Sequence, residues 1–216
     1  MELIAKYIPV LVFDASQVPN VLDKYAVDWH QLWCHNWAKD FPYQPDVRFR
    51  IAHTGRQILL QYDVRENSIR AVADTDNGRV WEDSCCEFFV SPSNDGIYYN
   101  FECNCIGTLL IGAKKDTNER HRASEDVLSS VKRWTSLPHQ PFPLQKGDAH
   151  WQLTLIIPDS AFFLHHINYL SQREMRCNLY KCGDLLAKPH YMSWNPVHSE
   201  KPNFHRPQDF DTCIFE

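Results

Sequence analysis

The sequence lacks an apolar run that approaches the roughly 20 residues needed to span a bilayer. Its N-terminal segment, MELIAKYIPVLVFDAS, also lacks the long apolar region and small-residue cleavage site of a signal peptide. Positive charge is not in excess, because 22 Lys and Arg stand against 27 Asp and Glu. We therefore expect a cytoplasmic protein with no membrane and no nucleic acid among its partners.

Motifs that hold haem or a structural metal are also missing. The chain has 3 Met, no Cys-x-x-Cys-His motif and no paired Cys-x-x-Cys motifs. The ligand spacing in His165-His166 and in Cys103-x-Cys105 is narrower than structural zinc sites usually show. The sequence predicts no cofactor, but it leaves open a structural calcium ion near one polar loop. The candidate oxygen ligands for calcium are Asp63, Glu66, Asp74 and Asp76.

The 8 cysteines are placed as small core residues rather than as disulfide partners. Cys85 and Cys86 are adjacent in an apparent strand, so their side chains face opposite sides of it. Cys103 and Cys105 alternate along one face. This placement is typical of free thiols in a reducing compartment.

Short segments of alternating apolar and polar residues, separated by polar turns, predict many strands. They cover residues 47–52, 57–64, 85–90, 97–104, 108–112, 151–157, 175–182, 191–194 and 211–215. This pattern indicates an all-β protein, an antiparallel, jelly-roll-like β-sandwich with a few short peripheral helices. A chain of 216 residues suits one such domain, which we expect to span residues 1–216.

Two short helices and one charged loop are predicted outside the strands. Trp29, Trp33 and Trp37 recur at helical spacing, which predicts a helix over 27–38 whose aromatic stripe caps the core. A second helix is predicted over 160–170. The charged segment 114–126 is predicted to be an exposed loop. Its basic residues are expected to face solvent; they are Lys114, Lys115, Arg120 and Arg122.

Several stretches, taken in order, resemble one known family. They are VWEDSCCEFF (80–89), YYNFECN (98–104), IG (106–107), NLYKCGD (178–184), SWNP (193–196) and NFHRPQDF (203–210). Their order is similar to that of carbohydrate-binding module family 9, and especially to its standalone, family 9-like branch. The resemblance covers the chain from about Val47 to the C-terminus.

The resemblance implies a carbohydrate ligand, bound without catalysis and associated with carbohydrate catabolism. In family members attached to xylanases, two tryptophans grip a terminal sugar; their positions correspond here to Trp81 and Phe204. The binding glutamate and asparagine of the family correspond to Glu87 and Asn104. Three departures stand out: Phe204 replaces a tryptophan, Glu102 replaces an arginine, and the loop at 197–202 is longer.

The residue types themselves suit sugar recognition, since aromatic rings pack on the apolar faces of a pyranose and charged groups bond its hydroxyls. Glu87 lies in an apolar strand, so it needs either an ion-pair partner or a wet cleft. Glu102 and Asn104 share one face of the next strand and could line the same surface. Arg206 either bonds a sugar hydroxyl or pairs with Asp209 or Glu87, and we favour the pair.

Other functions remain open on the sequence alone. A glycoside hydrolase acting on O-glycosyl bonds needs two carboxylates at a set separation, and Glu82, Asp83, Glu87 and Glu102 are the candidates. A metal- or haem-binding sandwich is a further alternative. A protein that only binds partners would instead show a large exposed apolar patch without a sugar-sized cleft.

Overall fold

The computed structural model describes residues 2–115 and 119–216. The strands are β1 (Leu3–Tyr7), β2 (His30–Gln31), β3 (Asp46–His53), β4 (Gln57–Ala71), β5 (Cys85–Ser91), β6 (Tyr98–Asn104), β7 (Leu109–Lys114), β8 (Arg120–Arg122), β9 (Lys132–Thr135), β10 (Phe142–Pro158), β11 (Arg173–Cys182), β12 (Tyr191–Ser193) and β13 (Asp211–Phe215). The helices are α1 (Val18–Lys24) and α2 (Glu125–Ser130), with 3-10 turns at Ala15–Gln17, Val80–Glu82, Asp159–Ala161 and Pro207–Asp209. In the described part of the chain, no helix is long and apolar enough to cross a membrane.

The strands form two sheets that share β1. One follows the order β8-β7-β6-β5-β11-β13-β1, and the other continues as β1-β3-β4-β10-β9, with β12 beside β11 and β2 beside β3. The predicted all-β sandwich is therefore confirmed. It is not wholly antiparallel, however, because β1 pairs in parallel with both β13 and β3.

Strand alternation divides the side chains of the first sheet between two clusters. Phe88 on β5 and Phe101 on β6 point into the main core, where they join Tyr62 and Trp151 from the second sheet. Their neighbours on the opposite face, such as Phe89, belong to a smaller outer cluster. Because β5 and β6 are covered on both faces, their polar residues Glu87, Asn100 and Glu102 are buried too.

The predicted helix over 27–38 is wrong. The segment instead supplies β2 and then a turn, because its backbone pairs with β3, with Leu32 N donating to Val47 O at 2.8 Å. The tryptophans do not share a face: Trp37 is buried, and Trp33 is half exposed. Trp29 instead lies beneath two arginines, Arg48 and Arg50, which are 4.4 and 4.5 Å from its ring.

Two other local predictions are corrected by the structure. The predicted helix over 160–170 reduces to the 3-10 turn Asp159–Ala161. The charged segment 114–126 is not one loop, because β8 pairs with β7 and α2 begins at Glu125 with Ser124 as its N-cap. Residues 116–118 of that segment lie outside the described residues.

Candidate functional site

A cavity of about 290 Å³ opens on the outer face of the first sheet. Its volume is at the lower end of the ~300–1,000 Å³ usual for small-molecule sites. Glu87 of β5 and Glu102 of β6 both line it, and they are directly opposite each other across the strand pair. The strand pairing thus brings two of the predicted site residues together.

Glu87 is 3% exposed, and its carboxyl group is hydrogen-bonded to a thiol rather than paired with a basic side chain. The Sγ of Cys182 donates to its Oε1 at 3.0 Å. Burial raises the pKa of the Glu87 carboxyl well above its usual range, and the neighbouring Cys182 and Glu102 raise it further. This direction favours the protonated carboxyl, which can donate as well as accept a hydrogen bond.

Glu102 is also buried, and its Oε1 accepts a 2.7 Å hydrogen bond from Asn100 Nδ2. Burial raises its pKa to about 7, although the Asn100 bond and the charges of Arg122 and Arg120 act in the opposite direction. Near neutral pH, Glu102 is consequently divided between its two protonation states.

The aromatic walls of the cavity include Trp81 and Phe204, as the sequence predicted. Trp81 is half-buried on the 3-10 turn Val80–Glu82. Phe204 is only 8% exposed, because one face stacks on Tyr180 with ring centroids 4.1 Å apart and an interplanar angle of 14°. An edge contact to Tyr191 confines it further. Phe204 is thus a fixed wall of the cavity, not the second open platform expected from the clamp.

Arg120 and Arg122 line the cavity, so they are not merely a solvated face. They alternate on β8, whose pairing with β7 aims both at the site. Arg120 donates to His205 Nε2 at 3.3 Å, and His205 Nδ1 bonds Tyr98 at 3.0 Å. Burial, with the charges of Arg120 and its neighbours, lowers the pKa of His205 to about 4, so the imidazole is neutral.

Sequence reasoning also missed Asp184 and Tyr191 as cavity residues. Burial raises the pKa of the Asp184 carboxyl, and its hydrogen bond with Tyr191 only partly offsets this. Asp184 is the last residue of the NLYKCGD stretch, so the resemblance of that stretch to the family could have indicated it. Nothing in the sequence marked Arg120 and Arg122 as more than a charged surface.

Asn104 and Arg206 do not line this cavity. Asn104 has no exposed surface; its Nδ2 donates to Asp83 Oδ2 at 3.0 Å, and its Oδ1 accepts from Thr108 N at 2.9 Å. Arg206 forms the favoured pair, with its Nε 2.6 Å from Asp209 Oδ2. Both residues support the backbone around the site.

The four calcium candidates are engaged elsewhere or exposed. Asp63 pairs with Arg65 at 3.0 Å, Glu66 with Lys181 at 2.9 Å, and Asp76 with Arg133 at 2.7 Å. Asp74 is exposed. Within residues 2–115 and 119–216, no three of the four have ligand atoms within 4.8 Å of one another. The calcium ion therefore stays a prediction, and the four candidate ligands do not converge on one position.

The comparisons with known proteins agree with the fold. A crystal structure of a candidate carbohydrate-binding protein from Bacteroides uniformis is 50% identical, covers 100% of this chain and 99% of its own, and has a TM-score of 0.97. Two structures of a family 9 module from Caldicellulosiruptor kristjanssonii, one with glucose and one with cellotriose, are each 11% identical and share the fold. They cover 100% of this chain and 96% and 94% of theirs, with TM-scores of 0.60 and 0.59.

No curated protein matches the sequence. The family model for carbohydrate-binding family 9 matches residues 16–215, which is nearly the whole chain. This match takes in the turn carrying Trp81, the strands carrying Glu87 and Glu102, and the loop carrying Phe204. The chain therefore belongs to carbohydrate-binding family 9.

Proposed function

We propose that the chain binds a single sugar unit in this cavity, without catalysis, in the service of carbohydrate catabolism. One observation carries the proposal: Trp81, Glu87 and Glu102, from three separate segments, surround the same 290 Å³ space. A sugar needs an apolar ring for its C–H face and polar groups for its hydroxyls, and this space offers both.

Trp81 supplies the stacking surface. Its side chain is half-buried, so part of the ring stays open to a ligand. Phe204 bounds the cavity, with its other face held by Tyr180. The sugar thus stacks on Trp81 and contacts Phe204, which Tyr180 covers on one face, unlike the two-tryptophan clamp of the xylanase-attached members.

The polar groups form a mixed set of donors and acceptors. Glu102, with a pKa of about 7, can accept a hydrogen bond from a sugar hydroxyl when it is ionised, or donate one when it is protonated. Arg120 and Arg122 add permanently charged donors from β8. Hydrogen bonds to charged groups are roughly twice as strong as neutral ones, so these side chains orient the sugar.

The ligand is most simply a glucose-like unit at the end of a chain. The Caldicellulosiruptor module binds glucose and cellotriose. A cavity of about 290 Å³ suits one unit better than an internal stretch of polymer.

Isothermal titration against glucose, cello-oligosaccharides, xylo-oligosaccharides and uronic acids tests the proposal. We expect binding of glucose-type ligands with one site per chain and a negative heat-capacity change, since apolar surface is buried on the ring. Silence across the whole panel would overturn it. If the chain prefers a uronic acid, the cavity remains the proposed site, and Arg120 and Arg122 bind the carboxylate of the sugar.

The pair of opposed carboxyl groups also favours a second candidate, a glycoside hydrolase. An acid with a pKa of about 7 beside another carboxyl is the kind of pair such enzymes use. Turnover of a chromogenic glycoside that disappears in Glu87→Gln would support this candidate. Binding without turnover in the same preparation supports the binding module.

A further inference from the structure

Two cysteines and a glutamate converge at the floor of the cavity. Cys85 and Cys182 are direct partners across the β5–β11 pairing, and Glu87 follows Cys85 on the same face of β5. One ligand atom from each lies within 4.8 Å of the other two. In the part of the chain that the structure describes, this is the one such group of three or more His, Cys, Asp or Glu.

All three side chains are buried, yet two of them border the cavity. Cys85 has no exposed surface, Cys182 is 2% exposed and Glu87 is 3% exposed. Cys182 and Glu87 line the cavity, so an ion could reach them from solvent and keep one coordination position open. This is the arrangement of zinc sites with three protein ligands and one free position.

Two of the three ligand atoms are already in contact, because the Sγ of Cys182 lies 3.0 Å from Glu87 Oε1. Buried charges in proteins are paired or coordinate a metal, so a divalent cation held here would compensate the thiolates and the carboxylate.

We propose that Cys85, Cys182 and Glu87 bind a thiophilic divalent metal ion, zinc being the best match, with its fourth position open to the cavity. Zinc bonds of about 2.3 Å to sulfur and about 2.0–2.2 Å to oxygen place tetrahedral ligand atoms about 3.5–3.8 Å apart. The present atoms, all within 4.8 Å, reach that geometry with small side-chain shifts. Two thiolates select zinc or cobalt over calcium and magnesium.

This site does not depend on the proposed sugar function, and the sequence alone did not indicate it. Cys85 and Cys182 are far apart in the chain, so no short-range spacing reveals them. Only the β5–β11 register brings them together.

The experiment loads the reduced, chelator-treated full chain with cobalt(II), and with zinc(II) for mass-spectrometric stoichiometry. We expect one ion per chain, a sulfur-to-cobalt charge-transfer absorption, and a rise in the unfolding temperature with zinc but not with calcium. Cys85→Ser and Cys182→Ser should each weaken metal binding by more than about 100-fold, which exceeds the usual 10–100-fold effect of an outer-shell partner. Glu87→Gln should weaken it as well.

Cys86→Ser is the matched control, because Cys86 is equally buried but points to the opposite face of β5. It should bind cobalt like the unmodified protein. If the ligand variants fail to fold, X-ray absorption spectroscopy of the zinc-loaded, unsubstituted chain tests the site instead. We expect it to show two sulfur ligands on the zinc. Absence of stoichiometric uptake, unchanged absorption in Cys85→Ser, or a disulfide between Cys85 and Cys182 in the reduced preparation would overturn the site.

Discussion

Glu66 of β4 and Lys181 of β11 form an ion pair of 2.9 Å in which neither side chain has any exposed surface. The pair joins the two sheets through the core. Trp151 Nε1 donates to the other carboxylate oxygen at 2.7 Å, and Lys181 Nζ lies 2.9 Å from His190 Nε2. Burial and the charge of Lys181 lower the pKa of His190, so the imidazole is neutral and accepts that bond.

Removing one member of this pair should be far more damaging than removing both. Lys181→Met leaves Glu66 as an uncompensated buried charge, and we expect a loss of about 3–5 kcal/mol in the free energy of unfolding. The double variant Glu66→Gln/Lys181→Met should lose less. Urea unfolding measures both, with exposed Lys201→Met as the control expected to change little. Equal losses in the single and double variants would contradict this account.

Trp81 should carry much of the sugar affinity. Trp81→Ala removes the stacking surface, and we expect the dissociation constant to rise about tenfold or more, which corresponds to about 1.4 kcal/mol. Isothermal titration with the best ligand of the panel measures the change. Trp33→Ala, which alters a half-exposed tryptophan outside the cavity, is the matched control. Similar effects of the two substitutions would place the ligand elsewhere.

Stability should fall as Glu102 ionises. Its pKa rises from 4.5 to about 7 on folding, so between these values the native state binds more protons than the unfolded state. The free energy of unfolding therefore decreases as pH rises through this window and levels off above it. The contribution is on the order of 3 kcal/mol.

Glu102→Gln cannot ionise and should lose that contribution to the pH dependence. Urea unfolding from pH about 4 to about 8 gives the free energy of unfolding of the unsubstituted chain and of Glu102→Gln. The difference between these two pH curves reports the contribution of Glu102. Titrating groups that Glu102 does not influence, such as His205, affect both curves alike, whereas the pKa of Glu87 is raised less once the charge of Glu102 is gone. A constant difference across the window would contradict the raised pKa of Glu102.

Asn104 should matter for folding and not for the ligand. Asn104→Ala leaves the backbone N–H of Thr108 without its buried acceptor and removes one of the donors to Asp83 Oδ2, so we expect a loss of about 2 kcal/mol in the free energy of unfolding. The sugar dissociation constant, measured well below the lowered unfolding temperature, should change by less than about twofold. A large loss of affinity in a variant of unchanged stability would restore Asn104 to the binding site.

The strand pattern was readable because side chains alternate between the main core and the outer face along β5 and β6 with a period of two. Phe88 faces the core while Glu87 faces the cavity, as alternation requires. The tryptophan spacing at 27–38 misled because backbone pairing with β3 overrides a weak helical period. Phe204 lines the cavity, and only the structure shows that Tyr180 covers one of its faces.

The all-β class follows from the alternation of residues, and the family and its glutamate at Glu87 follow from the resemblance of the ordered stretches; both depend on local properties of the chain. The contributions of Arg120 and Cys182 to the cavity do not, because these residues reach it through the pairing of β8 with β7 and of β11 with β5. Local patterns reveal which face a side chain occupies. Which distant residues share that face depends on sheet register, which is set by the packing of the whole fold.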